Sequence, residues 1–317
     1  MKIAVLIPVY NAERYLRECL DSVLAAGRRL VEGSGGVHTF AIRCLDDGSG
    51  DTSPSVLAEY SLLHPEVSYS VQSNAGVSAT RNELLDRLPS DFDAVCFVDS
   101  DDLVAPMMLE ALAGALERTG VDVAECGITH DSATLYAGEA GAVPVSVSDD
   151  MHAGGWINIV NKLYRRPSIG DVRFRKGLAF EEDNFFNREV NRVAKRKVML
   201  KAAMYYYRDN PASATGTLDC GKYVASVTER VRLTLEIFGP SAELAKDAYR
   251  MMIRKNLRKN QDAALRRELF LAAGAALNRF EREYGFRPGG LNPIQRILYR
   301  CCVNGWYRPA MALVHLT

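Results

Sequence analysis

Three acids stand within the four residues Asp99-Ser100-Asp101-Asp102, directly after the apolar run Val95-Cys96-Phe97-Val98. Carboxylates at i and i+2 of a chain leaving a strand can bend towards one point. Hard divalent cations such as Mg²⁺ and Mn²⁺ prefer oxygen ligands, and Mg²⁺ is often shared between one or two carboxylates and substrate phosphates. An acid cluster repels itself unless a cation neutralises it or water solvates it. The cluster therefore reads either as a metal and phosphate site or as a solvated turn ahead of a helix starting near Pro106. Asp46-Asp47-Gly48-Ser49-Gly50-Asp51-Thr52 follows the run Phe40 to Leu45. It suits a turn with an N-cap at Asp51 or Thr52, or a carboxylate that accepts hydrogen bonds from a ribose or base edge. Asn74 to Asn82 opens a helix whose Arg81 could hold a phosphate, orient the acids, or pair with Asp99 or Asp101. Glu181-Glu182-Asp183 precedes Phe185-Phe186 and reads as a helix start, where the dipole favours acids.

Strands and helices must alternate to bring these clusters together. Ile3 to Val9 is a continuous apolar run ending at Tyr10-Asn11, the pattern of a fully buried strand. Tyr15-Leu16, Cys19-Leu20 and Val23-Leu24 recur at helical spacing, and the glycine-rich stretch Gly27 to Gly36 reads as a surface loop. Strands follow at Phe40 to Leu45, Val67 to Val71 and Ala94 to Val98, with helices at Val56 to Leu63 and Val77 to Leu88 between them. This order predicts an α/β fold with a mainly parallel sheet and right-handed crossovers. Ligands of such sheets bind outside the carboxyl ends of the strands, where all three polar clusters fall. Met107 to Leu116 reads as a further helix, Val121 to Cys126 as a strand, and residues 128–150 have no clear period. Residues from about 220 onward are mainly helical in pattern.

Together the motifs resemble the family 2 glycosyltransferases of the GT-A fold, in particular the bacterial capsule, lipopolysaccharide and exopolysaccharide members. The resemblance runs through Pro8-Val9-Tyr10-Asn11, Asp46 to Asp51, Asn74 to Asn82 and Phe97 to Asp102. It continues more weakly at Asn161 to Arg166, Glu181 to Phe186 and Tyr205 to Arg208. It implies a Rossmann-like GT-A domain over residues 1–215, with a nucleotide-sugar half (1–104) and an acceptor half (105–215), and a helical region over 216–317. It implies that Pro8, Tyr10 and Asp47 bind the nucleobase and ribose of a UDP-sugar, with Arg81 completing the nucleotide pocket. Asp99-Ser100-Asp101 would be the DxD motif, with Mn²⁺ or Mg²⁺ on Asp99 and Asp101 and Ser100 beside the donor. Asp183 would be the catalytic base of an inverting transfer to a saccharide or lipid-linked saccharide acceptor. The chain departs from the family at Leu84, where an ARNxG motif usually has Gly. A non-catalytic nucleotide- or glycan-binding module and a metal-dependent phosphohydrolase are the rival classes. The second is disfavoured because these acids follow the fourth strand, not the first.

Other side chains admit two readings each. Trp156, Tyr164 and Tyr205 to Tyr207 fit a platform under a sugar ring or the core. Lys162 and Arg208 fit diphosphate neutralisation or a solvated surface. The seven cysteines show no CxxC and read as buried small hydrophobes in a reduced, cytoplasmic chain. Isolated histidines give no zinc pattern, and neither GxSxG nor GxxxxGK[ST] occurs.

The 317 residues carry 39 Lys+Arg against 39 Asp+Glu, which excludes a uniformly basic nucleic-acid binder. The balance hides a segregation. From Lys246 to the end there are 14 basic residues against five acids, so residues 1–245 carry the opposite surplus. A basic helical tail with Trp306 and Tyr307 reads as a solvated cap or as a surface for anionic lipid at the inner face of the cell membrane.

Overall fold

The computed structural model describes residues 1–149, 158–176, 178, 182–210, 229, 232–233, 263–284 and 292–313. The chain divides into two compact units, Met1–Lys176 with Glu182–Asn210, and Gly177–Glu181 with Pro211–Thr317.

The first unit is built on a nine-stranded mixed sheet. Strands β1 (Lys2–Val9), β2 (Thr39–Asp46), β3 (Val67–Val71) and β4 (Ala94–Phe97) pair in parallel, in the order β3-β2-β1-β4. Every β1 residue from Ile3 to Val9 is buried, because layers cover both faces of the sheet. Helices α1 (Leu16–Gly33), α2 (Ser53–Leu63) and α3 (Val77–Asp86) make the crossovers. The register places Val9 beside Asp46 and Leu6 beside Phe97. The loops after β1, β2 and β4 therefore emerge at one edge.

Beyond β4 come β5 (Leu103–Val104), α4 (Met108–Thr119), β6 (Val123–Thr129) and the short β7 (Val145–Ser148). After them lie β8 (Lys162–Arg165), α5 (Arg166–Ile169), α6 (Glu182–Val193) and β9 (Lys197–Tyr206). β8 pairs antiparallel with both β4 and β6, β6 pairs in parallel with β9, and β5 and β7 pair antiparallel with β9. The purely parallel half is thus joined to a mixed half.

The stretch from Gly27 to Gly36 corrects the sequence reading. It is not a loop from Gly27 onward: α1 continues to Gly33, and Gly27 and Leu30 lie on its buried face. A Cβ on Gly27 would stand 2.2 Å from the Phe40 ring, so glycine here permits close packing of helix on strand. The chain reverses only at Gly35 and Gly36, whose φ values of 60° and 84° suit glycine.

An aromatic cluster fixes the two elements that carry the central acids. The Phe174 and Phe186 rings stack at 4.1 Å, and Phe97 meets Phe174 edge-on at 5.5 Å. Phe97 is the last residue of β4, two before Asp99, and Phe186 lies on α6, three after Asp183. Such pairs contribute about 0.5–1.5 kcal/mol each beyond their area burial. Tyr164 and Tyr205 are fully buried, so of the two readings offered for them the structure selects the core. Trp156 and Cys220 lie outside the described residues; the other six cysteines are buried.

In the second unit the described helices are α7 (Ala263–Tyr284), α8 (Pro293–Val303) and α9 (Tyr307–Leu313). Phe270, Ala273 and Leu277 of α7 are buried, as are Leu298 and Cys302 of α8 and Ala310 of α9. Asn292 and Gln295 form a reciprocal capping box at the start of α8.

Candidate active site

The loop after β1 is tied to the loop after β2. Asn11, at φ 48°, accepts the Gly50 N–H through Oδ1 at 2.8 Å, and its own N–H donates to Ser49 Oγ at 2.9 Å. Pro8 is buried near the end of β1, and Tyr10 is 53% exposed at that edge. Asp46 accepts from the Ser49 hydroxyl at 2.6 Å and closes its own turn. Asp47 is buried and accepts from Gln72 Nε2, the Ala75 N–H and the Gly76 N–H, each at 2.8 Å. Its carboxylate therefore anchors the 74–76 loop that launches α3. The anchored loop and exposed Tyr10 lie at the same edge as the Asp47 carboxylate.

Helix α3 delivers Arg81, which is 3% exposed. One guanidinium gathers three carboxylates. Nη2 donates to Asp99 Oδ1 at 2.8 Å, and Nη1 donates to Glu182 Oε1 at 2.9 Å and to Asp183 Oδ1 at 2.8 Å. The Phe174 ring lies 5.4 Å from the guanidinium carbon, an added cation–π contact. Burial works against the Arg81 charge, but Asp183, Asp99 and Glu182 more than offset it and hold the side chain protonated. The sequence left Arg81 pairing with Asp99 or Asp101; the structure selects Asp99 and adds the two acids of α6.

Three carboxylates on one cation leave an excess of negative charge. Burial pushes the Asp183 carboxyl up to about 8, the Glu182 and Asp99 charges add to this, and Arg81 and Lys162 oppose it. Its place in the first turn of α6 also favours the anion. The result is a carboxylate with heightened proton affinity held at a fixed point.

The acid cluster after β4 splits into different environments. Asp102 is 1% exposed and accepts from the Tyr205 hydroxyl at 2.6 Å and the Arg208 N–H at 2.8 Å. Burial, then the Asp99 charge, push it up to about 8. It serves to lock the turn onto β9. Asp101 accepts from Asn210 Nδ2 at 3.0 Å and is raised by burial and by Asp99. Ser100, between Asp99 and Asp101 in the chain, is half-buried. Arg208 donates to the Asp101 carbonyl at 2.7 Å and to Glu18 at 2.7 Å, and stacks over Tyr15 at 4.5 Å. It braces the same turn.

Lys162 is buried, so a solvated surface position is ruled out for it. It lies 3.7 Å from Glu125, which also meets buried Lys197 at 3.9 Å. Burial lowers the Lys162 ammonium to about 8. Lys162 Nζ and Asn187 Nδ2 both donate to the Asn158 carbonyl, joining β8 to α6. Sequence reasoning missed Glu182 as an Arg81 partner and Asn210 beside Asp101. The adjacent acids of the 181–183 run were the only available signal for the first, and nothing in the sequence marked the second.

The donor set suits a divalent cation. Asp99 and Asp101 offer carboxylate oxygens two residues apart, and of the two causes that raise Asp101, burial and then the Asp99 charge, a cation relieves the second. Among the described residues no group of three or more His, Cys, Asp or Glu side chains could hold a metal unaided. A cation here would complete its shell with substrate oxygens and water, as Mg²⁺ commonly does.

Residues 4–140 match the family described as Glycosyl transferase family 2. The matched residues form a family 2 glycosyltransferase domain. It is 28% identical to glycosyltransferase GlyA of Streptococcus pneumoniae serotype 4 over 283 residues, covering 83% of this chain and 39% of that protein. It is 28% identical to the uncharacterized glycosyltransferase EpsJ of Bacillus subtilis over 226 residues, covering 67% of this chain and 62% of that protein. It is also 26% identical to the poly(ribitol-phosphate) beta-N-acetylglucosaminyltransferase TarS of Staphylococcus aureus, covering 65% of this chain and 35% of that protein. The chain thus spans less than two thirds of these relatives' lengths. The crystal structure of TarS 1–349 with UDP-GlcNAc superposes with a TM-score of 0.68 at 18% identity, covering 99% of this chain and 91% of that one. The GT-A fold expected from the sequence is therefore present.

Proposed function

We propose that the chain is an inverting glycosyltransferase. It moves a sugar from a nucleotide diphosphate sugar, of the UDP class, to a hydroxyl of a saccharide or lipid-linked saccharide during assembly of a cell-surface polysaccharide. The observation that supports this best is the Arg81 clamp. It sets the acid after β4 and the acid opening α6 on one guanidinium, as a donor site beside a proton acceptor requires. The domain's family and the UDP-GlcNAc held by TarS support the donor class.

In this reading the nucleoside lies against Pro8, Tyr10 and the loop anchored by Asp47. The diphosphate faces Asp99, Ser100 and Asp101. Bound Mn²⁺ or Mg²⁺, held by Asp99 and Asp101, would supply charge neutralisation to the departing diphosphate. Arg81 fixes the direction of Asp183. The Asp183 carboxylate takes the proton of the acceptor hydroxyl as that oxygen forms its bond to the anomeric carbon and the bond to diphosphate breaks. One displacement inverts the anomeric configuration, and no second carboxylate nucleophile is needed.

Two predictions arise here. Transfer in excess chelator should fall to background and return on adding Mn²⁺; full activity in chelator would rule out the metal role. A base raised to about 8 is mostly protonated at neutral pH. The value of kcat/KM should therefore rise about tenfold from pH 6 to 7, about fivefold from pH 7 to 8, and then level off. A flat profile over this range would count against Asp183 as the base.

A further inference from the structure

The described helices of the second unit bury apolar side chains and also expose large apolar and cationic ones. Leu271 of α7 is 40% exposed, Ile297 of α8 is 49% exposed and Trp306 is 57% exposed. A Cβ at Gly305 would lie 3.4 Å from Leu271 Cδ2, so Leu271 covers the turn that leads into Trp306. Arg267 stands one helical turn before Leu271, Arg300 one turn after Ile297, and Arg308 two residues after Trp306; all three arginines are exposed. The exposed acid described on these helices is Glu283, which Arg279 engages at 2.8 Å. It lies twelve residues beyond Leu271 on α7, on the order of 18 Å away at 1.5 Å per residue.

We propose that these exposed side chains of the α7–α9 segment dock on the surface of an anionic bilayer. Charge complementarity selects an anionic partner, matching the surplus of 14 basic residues over five acids from Lys246 onward. The apolar members select a bilayer over a soluble polyanion. A tryptophan beside a leucine, with an exposed isoleucine on the next helix, inserts at the headgroup boundary while arginines meet lipid phosphates, whereas a polyanionic chain would engage the arginines alone. Among the described residues no helix is long and apolar enough to cross a membrane, so the contact is peripheral. This deepens the lipid-linked acceptor reading above and rests on it only for its purpose, since docking requires no sugar transfer.

The test is flotation of the full chain with vesicles of phosphatidylcholine containing phosphatidylglycerol, against vesicles of phosphatidylcholine alone, at low and high salt. The chain should float with the anionic vesicles at low salt and much less at high salt. The triple variant Arg267→Gln, Arg300→Gln, Arg308→Gln should bind about a hundredfold more weakly, at roughly fivefold per arginine. Leu271→Ala with Trp306→Ala should weaken binding about tenfold with unchanged helicity and melting, since both side chains are exposed. Equal flotation with both vesicle types, or none with either, would overturn the proposal. So would binding of soluble poly(glycerol phosphate) that matches vesicle binding and is indifferent to the Leu271 and Trp306 changes, which would point to a polyanionic glycan instead. Sugar transfer to a soluble acceptor by the triple variant at the wild-type rate would leave the glycosyltransferase reading intact, so the two fail separately.

Discussion

Asp183→Asn should lower sugar transfer by about 10²–10⁴-fold, the span a positioned general base contributes, while donor binding measured by calorimetry stays unchanged. The amide keeps the size of the carboxyl and can still accept a hydrogen bond from Arg81, but it cannot take a proton. Loss of fold does not explain such a defect. The native structure raises the Asp183 pKa, so ionising this group costs stability as pH rises from the usual carboxylate range towards about 8. Asparagine removes that cost. A defect with an unchanged melting temperature and intact donor binding therefore belongs to chemistry. Transfer at the wild-type rate would show that another group accepts the proton.

Arg81→Ala should be the most damaging single change to stability in the site. It removes the cation shared by Asp99, Glu182 and Asp183 and leaves those acids facing one another. Removing one partner from a buried ionic cluster typically costs about 3–5 kcal/mol. The sign with pH follows from the missing charge. Arg81 opposes the rise of the Asp183 pKa, so the stability it supplies through Asp183 fades as pH falls through about 8, and the deficit relative to wild type should be smaller at pH 5 than at pH 7.5. Arg81→Lys should be intermediate, because an ammonium restores charge but not the fork that reaches acids on two sides. Denaturant unfolding of the three proteins at both pH values checks this. A difference under about 1 kcal/mol at pH 7.5 would mean that the clamp is not structurally important.

Much of the first unit was legible because its code is local. β1 from Ile3 and β4 are unbroken apolar runs and β2 is one interrupted at Arg43, each followed by polar residues, and a parallel sheet places such ends together. Ends of elements were less sharp: β6 runs Val123–Thr129 where Val121 to Cys126 was expected, and α3 stops at Asp86. Glycine misled at α1 because its value there is the space it leaves for Phe40, a property of the partner strand. The acids of the Asp99 to Asp102 run look equivalent in sequence. What separates them is the distant β9 segment, where Tyr205 and Arg208 claim Asp102. The Arg81 clamp joins residues about a hundred positions apart, and no spacing rule reports that. The buried Lys162–Glu125–Lys197 group was invisible for the same reason, since charged residues read as surface unless a partner is known.

The claim on which all of this rests is that the site transfers a sugar from a nucleotide donor. Its most direct test is a screen of nucleotide sugars, including UDP-GlcNAc, with Mn²⁺ and saccharide acceptors, following release of the nucleoside diphosphate. The wild-type chain should show acceptor-stimulated release of UDP from at least one UDP-sugar, and Asp183→Asn should nearly abolish it. Tight UDP-sugar binding with no release for any donor and acceptor, or release that Asp183→Asn leaves unchanged, would contradict the claim.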